Sequence, residues 1–397
     1  MIEIKKAIRI IDAEIKQLGA EKVVLSQAVG RILAENIVAD TDLPPFDRSQ
    51  MDGYAVVAAD TKNSPVELKL VGESAAGRGW HKTMKPGEAV RIMTGAPVPA
   101  GADSVQKIEL TSELGDSVEI REPAEKGRYI IRRGDEIKKG KTIFKSGAVV
   151  TENMIPTLAS FGYAEVRVSQ NPRVAIIGTG SEIVEIGKKP GRDQIRNSNS
   201  VMLEVLCRKF AATPTILPNV KDEISDLKSQ ISNAAKTSEI VILTGGVSVG
   251  KYDHTKTALA ELGATIFFEK VRLKPGKPAV FAKLGKAFVF GLPGNPVSAA
   301  VTFQLFVRKA ILKMQNAADS NMRKGFAILS SDAKAARERD AYVPSKLETN
   351  DQGQLVATPL KWSGSSDFVG FAQADSLIII PRDKSVAEGE VAEIVYL

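Results

Sequence analysis

The chemistry in this chain is concentrated in a few turns rich in glycine, proline and charge. "GLPGNPVSAA" ends a strand at Gly291–Leu292, turns rigidly through Pro293, Gly294, Asn295 and Pro296, and opens a helix by Ser298. Proline at a helix start forfeits no hydrogen bond, and the free N–H groups beyond it form an anion site. In "TGGVSVGKYDHTK", Gly245, Gly246 and Gly250 form a loop of backbone donors after an apolar strand. Asp253 follows near a helix start, as an N-cap or a metal ligand. "EKVRLKPGKP" holds Lys270, Arg272, Lys274 and Lys277. Alternation puts the first three on one strand face, either solvated or aimed at phosphate or another oxyanion. Glu182 in "GTGSEI", with Asn197 and Asn199 in "RNSNS", suits either magnesium binding or helix capping. Asp47, Arg48, Asp52, Thr94 and Asp103 crowd two polar loops, for which a structural network is the default reading.

Other chemistries are excluded by composition. One cysteine (Cys207) and two histidines (His81, His254) among 397 residues rule out an intrachain disulfide, a Cys-based zinc site and a three-histidine metal site. A resident metal would be a hard ion on carboxylates and carbonyls, with magnesium favoured. "GGVSVGKY" misses a phosphate loop because Tyr252 stands where a hydroxyl must reach the metal, and "GTGSEI" has Ile183 in place of a dinucleotide-binding glycine. A net charge of +7 with interspersed signs and 6% aromatic residues predicts no nucleic-acid surface. The apolar runs are too short to span a membrane, and the first residues do not resemble a signal peptide, so a cytoplasmic location is expected.

These turns need elements to hold them. Ile4, Ile8, Ile11 and Ile15 predict an N-terminal helix. A segment from Thr151, closed by Gly162, predicts another helix packed against the first. Together residues 1–40 and 143–170 form a discontinuous, mixed N-terminal domain. Residues 41–142, broken by seven prolines including Pro44, Pro65 and Pro123, read as a β-rich inserted domain. Residues 171–318 alternate strands and helices, with Asp222 as a helix N-cap. The pattern implies a parallel sheet covered on both faces, and ligands of such sheets bind beyond the carboxyl ends of the strands. Residues 319–397 predict a C-terminal β-barrel. The fold class is multidomain α/β.

In this order, "PPFDRSQMDGYAV", "VRIMTGAPVPAGADSV", "TGGVSVGKYDHTK", "LKPGKPAVFAKL" and "GLPGNPVSA" resemble the molybdopterin molybdenumtransferase family, which includes MoeA and the E domain of gephyrin. The resemblance spans essentially the whole chain. It implies a four-domain, elongated homodimer whose α/β domain binds molybdopterin, with an active cleft shared between the α/β domain of one subunit and the β-rich domain of the other. It implies insertion of molybdenum from molybdate into adenylylated molybdopterin, with release of AMP and Mg2+ as cofactor. Transient contact with the pathway adenylyltransferase and with apo-molybdoenzymes is implied as well, with neither nucleic acid nor membrane as a partner. By motif, the catalytic positions would be Asp52, Thr94, Glu182, Asp222, Asp253, Lys270 and Lys274, with Glu182 and Asp253 on the metal. Gly245, Gly246, Ser248, Gly250, Lys277, Pro293, Gly294, Asn295, Pro296 and Ser298 would bind substrate. The chain departs from the family at Ser181 and Asn197, where aspartate is common, which bears on magnesium affinity and on molybdate against tungstate. A pterin-binding scaffold without turnover and a tungstate-preferring transferase are the alternatives.

Overall fold

The computed structural model describes residues 1–220, 223–245, 254–335, 337–360 and 364–397. The chain divides into two compact units. Met1–Glu35, Ser146–Glu152 and Glu165–Leu397 make one, and Asn36–Lys145 with Asn153–Ala164 the other.

The first unit is built on a six-stranded sheet in the spatial order Thr213–Ile216, Arg173–Gly178, Ile240–Thr244, Ala287–Leu292, Pro278–Leu284, Thr265–Lys270. The first four strands are mutually parallel. The last two each run antiparallel to their neighbours, so the expected parallel sheet is in fact mixed. The reason is local: Leu284 pairs with Ala287, and the two-residue connection through Gly285 and Lys286 can only make a hairpin. Every residue of Ile240–Thr244 and Ala287–Leu292 is buried, which is why these strands read as unbroken apolar runs. Alternate side chains serve two cores. Ile176, Ile242, Phe281 and Phe290 pack on one face with Leu203 and the N-terminal helix, while Ile177, Val241, Leu243 and Val289 meet Leu227, Ile231 and Leu259 on the other.

Helix Ile4–Glu14 buries Ile4, Ala7 and Ile11, with Ile15 just beyond, as the spacing predicts. Asp12 anchors it to the buried Lys309 ammonium at 3.2 Å. Strand Ala20–Val24 pairs antiparallel with Glu165–Ser169, which joins segments far apart in sequence. The C-terminal strands close on themselves in the order Asp340–Thr349, Leu355–Pro359, Lys324–Leu329, Val391–Tyr396, Ser376–Ile380, and back to Asp340–Thr349. Closure removes the free edges and encloses Leu329, Ile378, Ile380 and Ile394. This is the expected barrel.

The second unit holds a six-stranded sheet in the order Ser104–Lys107, Gly53–Val56, Glu88–Ile92, Val66–Ser74, Ser117–Ile120, Thr111–Leu114. Tyr54 and Val56 enter one core and Ala55 the other, the period-2 signature of a strand covered on both sides. Helix Ile155–Ser160 groups with this unit rather than with the N-terminal helix, which corrects the sequence expectation. Tyr163, which follows it, fixes it there: its hydroxyl donates to Val38 O at 3.1 Å and accepts from Val38 N–H at 2.9 Å.

Candidate functional site

From Arg173–Gly178 the chain runs through helix Ser198–Lys209 to a strand on one side. It then runs through helix Ile224–Thr237 to Ile240–Thr244 on the other side. The strand order therefore reverses between Arg173–Gly178 and Ile240–Thr244. A reversal sends the two connecting helices to opposite flanks and leaves a crevice beyond the carboxyl ends of the strands. Glu182 and Gly245 both follow directly from those ends.

Three strand ends are tied together there. Thr179 N–H donates to Thr244 O at 2.9 Å, and Gly245 N–H to Leu292 O at 3.3 Å. Asn199, near the start of its helix, donates through Nδ2 to Thr244 Oγ1 at 2.9 Å and to Gly294 O at 2.8 Å. One amide thus clamps the proline turn to the neighbouring strand. Its own Oδ1 is buried and has no partner among the described residues. Gly245 has φ +94°, and a Cβ there would lie 2.4 Å from Thr179 O. The carboxylate of Glu182 folds back over Gly180, where an added Cβ would lie 2.5 Å from Oε2.

Asn197 is an N-cap. Its Oδ1 accepts from Ser200 N–H at 3.0 Å while Nδ2 donates to Asn219 Oδ1 at 2.7 Å. Aspartate caps equally well but has no hydrogen to give Asn219, so the amide suits this site.

The proline turn opens helix Pro296–Thr302, whose first available N–H, that of Val297, donates to Ser365 O at 3.2 Å. Asn295 Nδ2 donates to Ser365 Oγ at 2.8 Å. Ser298 is buried. The expected row of free donors is thus partly occupied by Ser365, a residue that the sequence does not single out. Only long-range folding brings it here, and no local pattern marks it.

The basic segment is split. Thr265–Lys270 runs in the direction of Ala287–Leu292, so Lys270 stands at the crevice end of the sheet, two strand spacings or about 10 Å from the proline turn. Beyond it the chain changes sheets, and Leu273–Lys274 pairs with Asp340–Ala341 of the barrel. The single strand face predicted for Lys270, Arg272 and Lys274 does not form, because register shifts near Phe268 and the switch to the barrel break the alternation. Gly276 nevertheless presses the segment onto the proline-turn helix, since a Cβ there would fall 2.6 Å from Thr302 Cγ2. Lys277 is half-buried. Lys274 is exposed and, with Lys334, Asp332 and Tyr342, lines a cavity of about 210 Å³.

In the second unit Asp52 and Thr94 are joined. Asp52 Oδ1 accepts from Thr94 N–H at 2.6 Å and from its hydroxyl at 2.8 Å. The next residue, Gly53, lies in a central strand close against its neighbour, where a Cβ would meet Gln106 O at 1.9 Å. The two Thr94 bonds, backbone first, hold the Asp52 carboxyl below its ordinary range. A depressed value means that the contact is complete at neutral pH and lost as pH falls through the folded-state pKa. Thr94→Ala, which removes the hydroxyl and keeps the N–H, should raise the Asp52 value part of the way toward that of a free carboxylate in a carbon-13 NMR titration, and an unchanged midpoint would deny the hydroxyl bond. The other polar loop residues are structural, as expected: Asp47 meets Arg132 at 2.6 Å, Arg48 meets Glu136 at 2.9 Å, and Asp103 accepts from Ala58 N–H at 2.7 Å.

Asp222, Gly246, Ser248, Gly250 and Asp253 lie outside the described residues. Among the described residues no three of His, Cys, Asp or Glu gather into a metal-holding group. The carboxylate of Glu182 is nonetheless the hard oxygen donor that magnesium takes, since that ion is usually held by one or two carboxylates plus phosphate and water. Among those residues, too, no helix is long and apolar enough to cross a membrane.

A switch-point crevice on an α/β sheet, followed by a closed barrel and interrupted early by a β-rich unit, defines a multidomain MoeA-type fold. Residues 175–313 match the family described as a probable molybdopterin binding domain; 2–162 match the MoeA N-terminal region (domains I and II) and 327–397 its C-terminal region (domain IV). The chain belongs to the molybdopterin molybdenumtransferase family. It is 35% identical over 384 residues to the molybdopterin molybdenumtransferase of Staphylococcus aureus strain COL, covering 96% of this chain and 91% of that one. The enzyme of the same name from Bacillus subtilis strain 168 is 35% identical over 388 residues, covering 96% and 90%. The crystal structure of the molybdopterin biosynthesis MoeA protein from Pyrococcus horikoshii superposes with a TM-score of 0.85 at 31% identity, covering 100% of this chain and 99% of that one.

Proposed function

We propose that this protein acts in molybdenum cofactor biosynthesis as a molybdopterin molybdenumtransferase. It takes adenylylated molybdopterin and molybdate, the phosphoanhydride is cleaved, molybdenum enters the dithiolene and AMP leaves. The observation that carries this reading is the convergence of Glu182, Gly245 and the proline turn on one crevice, clamped by Asn199. The crevice would seat the pterin and pyrophosphate. Glu182 and the sequence-predicted Asp253 would hold Mg2+, which supplies charge neutralisation at the pyrophosphate. Lys270, whose backbone ends its strand at the crevice end of the sheet, would neutralise phosphate oxygens. Lys274 would take the oxyanion in the cavity that it lines with Lys334, which has ample room for a tetrahedral anion.

Lys274→Ala should raise the molybdate concentration for half-maximal AMP release by about tenfold or more, the scale of one charge-assisted contact. An unchanged concentration would assign the cavity another role.

The reading extends to a cytoplasmic homodimer in which Asp52 and Thr94 of one copy complete the site of the other. What supports it is that both are exposed and already joined. Asp52→Asn and Glu182→Gln proteins, each inactive alone, should regain about a quarter of wild-type turnover when unfolded and refolded as an equal mixture, because half the dimers then carry one intact site. No recovery would place Asp52 in its own subunit's site or in none.

A further inference from the structure

A second cation, outside every motif that the sequence singles out, lines the cavity of Lys274. It is Lys334, which ends the short strand Ala333–Lys334. That strand pairs antiparallel with Ser385–Val386, and Ala335 N–H continues the ladder to Lys384 O at 3.1 Å. Lys274 reaches the same cavity from a different direction, on Leu273–Lys274 beside Asp340–Ala341 of the barrel. Ala341, Val343, Pro359 and Leu360 supply an apolar part of the wall. The remaining charged group, Asp332, is engaged by backbone: its Oδ1 accepts from Glu388 N–H at 3.0 Å. Neither lysine forms an ion pair among the described residues.

Two ammonium groups on one cavity of about 210 Å³ repel each other, and apolar walls screen that repulsion less than water does. A single negative charge between them offsets half of the excess, and a double charge offsets all of it. We infer that Lys334 is the second binding cation for the oxyanion, and that the lysine pair selects tetrahedral dianions over monoanions of the same shape. The inference rests on the transferase reading, which places the oxyanion at Lys274, and adds to it a specificity-determining residue and the charge that it selects.

The test is calorimetric titration of the full-length protein with molybdate, a dianion, and with perrhenate, a tetrahedral monoanion. Coulomb energy scales with the charge on the anion, so losing one ammonium costs the dianion about twice the free energy that it costs the monoanion. Lys334→Ala should therefore weaken molybdate about tenfold and perrhenate only about threefold. Lys334→Arg, which keeps the charge, should restore molybdate binding to within about threefold of wild type. Lys384→Ala removes a neighbouring lysine that does not line the cavity and should leave both affinities unchanged, which separates contact from general surface charge. A molybdate affinity lowered by less than about threefold in Lys334→Ala, an equal loss in Lys384→Ala, or no preference of the wild type for molybdate over perrhenate would overturn the inference. If Lys334→Ala loses molybdate affinity as expected while the wild type releases no AMP from adenylylated molybdopterin, the transferase reading falls and the dianion site stands. If AMP release depends on molybdate and Lys334→Ala binds molybdate as the wild type does, the role of Lys334 alone falls.

Discussion

Glu182→Gln should reduce AMP release from adenylylated molybdopterin by about 10²- to 10³-fold, the loss expected when a metal-holding charge becomes a neutral amide. The substitution keeps the shape of a side chain that folds over Gly180, so the crevice should stay intact. The proof that it does is an unchanged melting temperature and unchanged AMP binding beside the lost turnover. The magnesium concentration for half-maximal rate should rise with the same substitution. Turnover within a few-fold of wild type would remove Glu182 from the metal and leave its position at the strand end without a chemical role.

Gly245→Ala should cost stability rather than chemistry alone. The residue sits at φ +94°, where an L side chain is strained, and its Cβ would collide with Thr179 O and Oγ1 at 2.4 and 2.8 Å. Those atoms belong to the neighbouring strand end, whose N–H is already bonded to Thr244 O, so neither side can give way cheaply. Strain and overpacking together suggest about 3 kcal/mol. Urea unfolding should show a midpoint lowered accordingly, and activity should fall with it because the proline turn is hung from the same backbone through Leu292 O. An unchanged midpoint would mean that the strand ends are not packed as described.

Much of this architecture was legible in the residues. The apolar runs "RVAIIG" and "EIVILT" announced buried strands because both sheet faces are covered, and the isoleucine spacing of four, three and four announced the first helix. The proline turn was legible because two prolines flanking Gly-Asn permit little else. What escaped depended on contacts distant in sequence. Ser365 lies 70 residues from Asn295, its partner, and nothing in "SGSSD" marks it. The lysine row failed because alternation holds only while a strand stays in one sheet, and this chain leaves its sheet after Lys270 for the barrel. The antiparallel hairpin was in principle visible: "LGKA" between two apolar runs is a two-residue connection, which a parallel pair cannot use. Helix Ile155–Ser160 offered one buried leucine, too little to say which neighbour it joins.

The family's usual aspartate at position 197 bears on metal affinity, and here the side chain is engaged in capping. Asn197 spends both ends of its amide on Ser200 and Asn219 and is buried at the helix start. On the proposed reading, magnesium would be held by the carboxylates that the motifs share, Glu182 among them.

The central claim is best tested by one measurement: AMP released from adenylylated molybdopterin by the purified protein with Mg2+, in the presence and absence of molybdate. The account predicts multiple turnovers that depend on the oxyanion and yield a cofactor able to activate an apo-molybdoenzyme. Tight retention of the pterin without AMP release would contradict it and would make the crevice a binding site only.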